Sequence, residues 1–190
     1  MSKSKEVHLK IVTPEFVLSF PKLIKAEQIM GTGPEYFSLQ MLFDKGMDMK
    51  WLQDALKKVY ADRWGDAKRP STFKSPLHDG DIKADDSGAE VYRGKLFMNA
   101  KAGATEVITL LGPSKEVVKP ERFYAGCICK ASLILSSFDN NFGKGISVWL
   151  KGLQFRKDGD RLDAGGRGAS KDDFDAVEGA QPINSVDDDF

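Results

Sequence analysis

Long apolar runs are missing from this sequence. No segment reaches the roughly 18 apolar residues that a membrane-spanning helix needs, and the first 30 residues carry Lys3, Lys5 and Lys10 without the uninterrupted apolar stretch of an export signal. These absences predict a soluble protein that stays in the cytoplasm. Cysteine is scarce: Cys127 and Cys129 are the only two, and on one strand they point the same way, a poor geometry for a mutual disulfide. Reduced thiols are therefore expected. Histidine is equally scarce. His8 and His78 with the two cysteines make four candidate metal ligands but no close pairs of known spacing, so no metal and no other cofactor is expected. The fragment Gly31-Thr32-Gly33-Pro34 lacks both the third glycine of a dinucleotide fingerprint and the lysine of a phosphate-binding loop, and reads as a turn.

What is present is a division of charge. The chain has 28 basic and 28 acidic residues, yet residues 158–190 hold ten acids against three bases, leaving 18 acids against 25 bases in residues 1–157. A body of net +7 attracts polyanions, and an acidic tail of net −7 competes for the same surface or reaches for a basic partner. The body, with most of the 41% hydrophobic residues, is long enough for one domain with a core. Beyond Ala164 large apolar residues are too sparse to offset the entropy of ordering. The expected division is a domain over 1–163 and a flexible acidic tail over 164–190.

Period-two alternation dominates the body. Val7, Leu9 and Ile11 alternate with polar neighbours, residues 15–20 form a short aromatic run, and Phe37, Leu39, Met41 and Phe43 alternate with Tyr36, Ser38, Gln40 and Leu42. Trp51, Leu52, Ala55, Leu56, Val59 and Tyr60 instead recur at helical spacing, with Asp48 as N-cap and Gly65 as stop. Residues 65–90 read as a long connection with at most a short strand. Further strands are expected over 91–101, 106–111, 123–138 and 146–157, the last two joined as a long hairpin through a turn-forming stretch at 139–145. Many strands, one helix and no strand-helix rhythm predict a mainly β fold, an OB-like antiparallel β-barrel with one inserted α-helix. A sandwich satisfies the same pattern.

On a strand over 91–101, Arg93, Lys95, Phe97, Asn99 and Lys101 share one face. Cations that track phosphates beside a ring that stacks on any base are what a single-strand-binding groove needs. The hairpin supplies Lys130 on its first strand, Trp149 and Lys151 on its second, and Phe142 and Lys144 in its loop, a finger able to close over a strand. Each has a plainer reading. Phe97 can be covered by a loop, Trp149 can be core because Leu153 and Phe155 share its parity, and the helix cations Lys57, Lys58 and Arg63 can be a solvated face, although the basic run from Lys68 and Arg69 toward Phe73 and Lys74 can extend a groove. Asp79, Asp81, Asp85, Asp86 and Glu90 can be drawn as a Mg²⁺ site for nuclease chemistry, or as a solvated loop. At the end of the tail, Asp187, Asp188, Asp189 and Phe190 suit a basic partner site with an apolar pocket.

The stretches Phe123-Tyr-Ala-Gly-Cys-Ile-Cys-Lys-Ala-Ser132, Phe138-Asp-Asn-Asn-Phe-Gly-Lys-Gly-Ile-Ser147 and Leu153-Gln-Phe-Arg-Lys-Asp-Gly-Asp-Arg-Leu162 resemble phage-encoded single-stranded DNA-binding proteins of an OB-fold group. Val12-Thr-Pro14, the Trp51 helix and Tyr92-Arg-Gly-Lys-Leu-Phe-Met-Asn-Ala100 are similar to that group too, so the likeness covers about residues 7–168. The tail resembles in style the acidic, Phe-terminated tails of phage replication single-strand binders. That resemblance implies contact with replication proteins such as polymerase or helicase-primase, and competition with DNA for the basic groove.

The expected function is non-enzymatic, largely sequence-independent binding of single-stranded DNA in phage DNA replication, recombination or repair, in the host cytoplasm. The expected DNA contacts are Arg93, Lys95, Phe97, Lys101, Lys130, Phe142, Lys144, Trp149 and Lys151; the expected partner contacts are Asp187, Asp188, Asp189 and Phe190. A metal-dependent nuclease and a tail-driven structural adaptor are the rivals, and a homodimer stays open.

Overall fold

The computed structural model describes residues 6–141 and 143–162. Its strands are β1 (His8–Val12), β2 (Phe16–Gln28), β3 (Glu35–Asp44), β4 (Leu77–Asp79), β5 (Lys95–Gly103), β6 (Thr109–Leu111), β7 (Ile128–Asn140) and β8 (Gly143–Lys157). Its helices are α1 (Lys50–Trp64) and α2 (Gly80–Ser87). Pairing runs β7-β2-β3-β5-β8, and β8 pairs back onto β7, so five strands close a ring. Only the β5–β8 pairing within the ring is parallel. This is the connectivity of an OB barrel, the expected fold. Beside it, β1 pairs with β7, β6 with β8 and β4 with β5.

Alternation sends one set of side chains inward: Leu18, Leu39, Met41, Met98, Leu133, Leu135 and Leu150 are all between 0% and 1% exposed. Helix α1 packs on β7 and β1 through its stripe of Leu52, Ala55, Leu56 and Val59. Asp48 Oδ1 accepts from the Lys50 amide (2.8 Å), and Gly65, at φ 62°, ends the helix by donating to the Ala61 carbonyl. Cys127 and Cys129 are buried free thiols with their sulfurs 3.5 Å apart; the contact with Cys127 and burial push the Cys129 thiol up.

Three differences from the sequence expectation matter for the site. Among the described residues there are two α-helices rather than one inserted helix. Helix α2 buries only Gly80 and Ala84, too little to print a period on the sequence, but Asp79 caps it and it lays Ala84 over Leu42, Tyr92 and Phe97 as a second small core. The strand expected from residue 123 starts at Ile128, behind a turn at Pro120–Arg122, and the one expected over 106–111 shrinks to Thr109–Leu111. A bulge interrupts the hairpin. Ser132 pairs with Gly152 but Leu133 with Leu150, so Lys151 has no partner and the alternation of β8 is reset there.

Candidate functional site

Barrel strands β3 and β5 lie side by side with Ser38 opposite Lys101 and Gln40 opposite Asn99. These are the outward-facing members of the two alternations, and they floor a groove of about 510 Å³ that Phe20, Lys22, Ile29 and Val148 complete. A second hollow of about 550 Å³ shares Asn99 and Val148 with it and continues past His78, Ser147, Lys74 and Phe73. Together they make one channel across the barrel, from the β2–β3 connection to the β7–β8 hairpin.

Phe20, Phe73 and His78 line this channel, and further rings contact the residues that line it. Lys101 Nζ sits 4.3 Å from the centre of the Tyr36 ring and 5.1 Å from that of Trp149, and partial burial there lowers its pKa. The two rings lie 6.3 Å apart. Along the other side, Phe20, Tyr92, Phe97 and His78 form a row with successive centres 6.5, 5.1 and 5.0 Å apart. Its end members are exposed. Phe20 is 57% exposed and held at φ 44°, in the left-handed region that a bulky residue avoids, at a break in the β2–β3 register. His78 stacks on Phe97, and desolvation holds its pKa below the ordinary value. At the far end Arg69 lies over Tyr60 and Phe73, beside Trp64.

Position of the connection depends on one tether. The Lys74 amide donates to the Lys144 carbonyl (2.9 Å) and the Ile146 amide to the Lys74 carbonyl (3.1 Å). That bridge requires Gly145, because a Cβ there would lie 2.6 Å from the Lys74 oxygen. Lys74 and Lys101 have no carboxylate partner among the described residues, whereas Lys22 pairs with Glu27.

The expected DNA contacts divide between places. Lys101 lines the channel, with Trp149 against its ammonium. Trp149 is not core, because the bulge at Lys151 separates its face from that of Leu153 and Phe155, which are buried. Arg93 lies off the strand after the turn Glu90–Tyr92, with its guanidinium on Asp85 (2.6 Å) and Glu90 (3.0 Å). Those partners, Glu90 first, push its pKa further up. Lys95 pairs with Asp44 across β3. Phe97 does face outward, as the alternation required, but at 7% exposure it is closed over by Tyr92 and the α2 segment and offers no free face. Lys144 at the hairpin tip pairs with Asp139. Lys130 and Lys151 line a separate cleft on the outer face of β7 and β8. Phe142, Asp187, Asp188, Asp189 and Phe190 lie outside the described residues, as does the 163/164 boundary.

Phe20, Lys22, Tyr36, Ser38, Gln40 and His78 were absent from the sequence expectation as contacts, whereas Phe73 and Lys74, expected as a run able to extend a groove, line the second hollow. Tyr36, Ser38 and Gln40 were legible as the polar side of an alternating strand; their place beside Lys101 needed the register. Four of the five carboxylates of the nuclease alternative are engaged: Lys45 joins Asp79 and Asp81, which lowers both carboxyl pKa values, Asp81 also accepts from the Gly94 amide, and Arg93 holds Asp85 and Glu90. Among the described residues no three carboxylate, histidine or cysteine side chains gather around one point. No helix among them is long and apolar enough to cross a membrane.

Comparison with known proteins decides the family. The family model described as "Enterobacter phage Enc34, ssDNA-binding protein" matches residues 9–189. The chain belongs to that family. A curated relative, "Putative protein p50" of Acyrthosiphon pisum secondary endosymbiont phage 1, is 29% identical over 183 residues, covering 91% of this chain and 96% of its own. Among solved structures, the single-stranded DNA-binding protein from bacteriophage Enc34 in complex with ssDNA superposes with a TM-score of 0.65 at 20% identity, over 81% of this chain and 88% of that one. The gp2.5 single-stranded DNA-binding protein of bacteriophage T7 does so with a TM-score of 0.58 at 10% identity, over 84% and 98%. Both likenesses show the shared fold. In the Enc34-family chain described here, the channel lies on the second and third strands of the barrel ring, between its first-second and fourth-fifth connections, where OB folds bind oligonucleotides.

Proposed function

We propose that this protein binds single-stranded DNA along the channel, with little preference for base sequence. The observation that carries the reading is the Tyr36–Lys101–Trp149 cluster: an ammonium held between two rings at the floor of an open groove. Lys101 and Lys74 hold phosphates, while Tyr36, Trp149, Phe20 and His78 present faces on which bases stack. Stacking accepts any base, since every base has a π-face. It also selects single strands, because bases in a duplex already stack on each other. Family membership supports the same reading.

The binding serves phage DNA replication, recombination or repair by covering exposed single strands. The segment 163–190 carries eight acids against two bases, enough charge to compete with DNA for the channel, and its Asp187-Asp188-Asp189-Phe190 end recruits basic replication proteins. A titration of fluorescent oligo-dT and of the matching duplex with full-length protein at two salt concentrations tests this. Tight, salt-sensitive binding that prefers the single strand is the expected result. Equal binding of duplex, or no binding, overturns the reading, and shortening of the oligonucleotide in Mg²⁺ indicates a nuclease instead.

A further inference from the structure

Further along β8 than Trp149 lies a cleft of about 400 Å³ formed by β1, β7, β8 and β6. Lys10, Lys130 and Lys151 surround it, Thr109, Ser132 and Gln154 contribute polar groups, and no carboxylate and no aromatic residue lines it. Lys10 and Lys130 have no carboxylate partner among the described residues; Lys151 is held by Glu106 at the cleft's edge. The cleft is also lined by Gly152, the residue opposite both Ser132 and Thr109, where a Cβ would lie 3.2 Å from the Thr109 oxygen. Cations without rings suit a sugar-phosphate backbone and offer nothing to a base.

The two regions are joined along one strand. Lys101 of the channel is paired with Trp149, and Lys151 of the cleft follows two residues later on β8, placed there by the bulge. We propose that the cleft is a second, backbone-only binding site, which takes the phosphates of the same DNA strand after it leaves the channel over Trp149. This inference rests on the proposed single-strand binding and extends it. The channel reads bases by stacking, and the Lys10–Lys130 cleft holds the continuing backbone by charge alone. A strand long enough to cross Trp149 uses both; a short one uses the channel only.

The test compares full-length wild type with the Lys10→Ala/Lys130→Ala protein on oligo-dT of about 5 and about 20 nucleotides, one near the lower end and one beyond the upper end of the site size of a single OB fold. Removing two phosphate contacts should make the salt dependence of long-oligonucleotide affinity shallower by about 1.4 in log–log slope. Affinity and slope for the short oligonucleotide should stay at the wild-type values, and Lys10→Arg/Lys130→Arg should restore long-strand binding. An unchanged slope on the long strand overturns the proposal. So does an equal loss on both lengths, and so does tighter binding, which would make the cleft a seat for the acidic tail. Failure of wild type to bind either length is a different result, the failure of single-strand binding itself.

Discussion

Trp149 stands out of the core because a single extra residue, Lys151, resets the alternation of β8 just beyond it. Its ring then shares Lys101 with Tyr36, and a base inserted there gains about 1–3 kcal/mol of stacking. Trp149→Ala should weaken oligo-dT binding by that amount, read by titration, with little change in duplex binding. Phe20 has a different signature. Its left-handed backbone costs energy that a glycine would not incur, so Phe20→Gly should lose DNA affinity without losing thermal stability. His78 brings a pH dependence. Desolvation lowers its pKa, so it is neutral near pH 7, and acidification through that lowered value adds a cation beside the phosphates. Affinity for oligo-dT should therefore rise as pH falls below about 6.5, while the same residue's contribution to stability is lost over that range, because the unfolded chain protonates more readily. Both trends should disappear in His78→Phe, which keeps the ring over Phe97.

At the scale of elements, α2 and the hairpin tether do the positioning. Gly80 opens α2 where a Cβ would fall on the carbonyl oxygens of Tyr92 and Lys95. Gly80→Ala should destabilise the fold by about 1–3 kcal/mol, measured by urea unfolding, through overpacking rather than through any loss of charge. Gly145→Ala acts elsewhere. It should push Lys74 and its connection off the hairpin, so that DNA affinity falls under conditions where the protein remains folded. Strands β3 and β7 and helix α1 were readable because their apolar residues recur over ten or more positions with one period, whereas β2, whose register with β3 breaks past Ser19, was legible only over its first residues. Helix α2 was not, since eight residues with two buried positions carry no period, and its evidence is a cap by Asp79 and a left-handed Gly88.

For the whole molecule, charge division is the dominant fact. Residues 158–162 belong to the body, because Tyr124 Oη donates to Asp158 (2.9 Å), the Gly159 amide donates to Tyr124 and the Leu162 amide to the Ala125 carbonyl. Truncation is therefore best placed after Leu162, which removes a net −6. That truncation should tighten oligo-dT binding most at low salt, where charge is least screened; equal affinity at low salt would remove the tail from competition. The sequence by itself determined the mainly β class, α1, the hairpin and the opposition of a basic body to an acidic end, because these depend on local period and on counting. Closure of the strands into a barrel rather than a sandwich was decided by the pairing of β8 with both β5 and β7. Only the tertiary structure decided which cations and rings serve together. Salt bridges occupied Arg93, Lys95 and Lys144, α2 covered Phe97, one bulge moved Trp149 outward, and register brought Tyr36, Lys101 and Trp149 from three separated strands. A strand's pattern fixes which face a residue takes, but what lies against that face is set by chain that is distant in sequence.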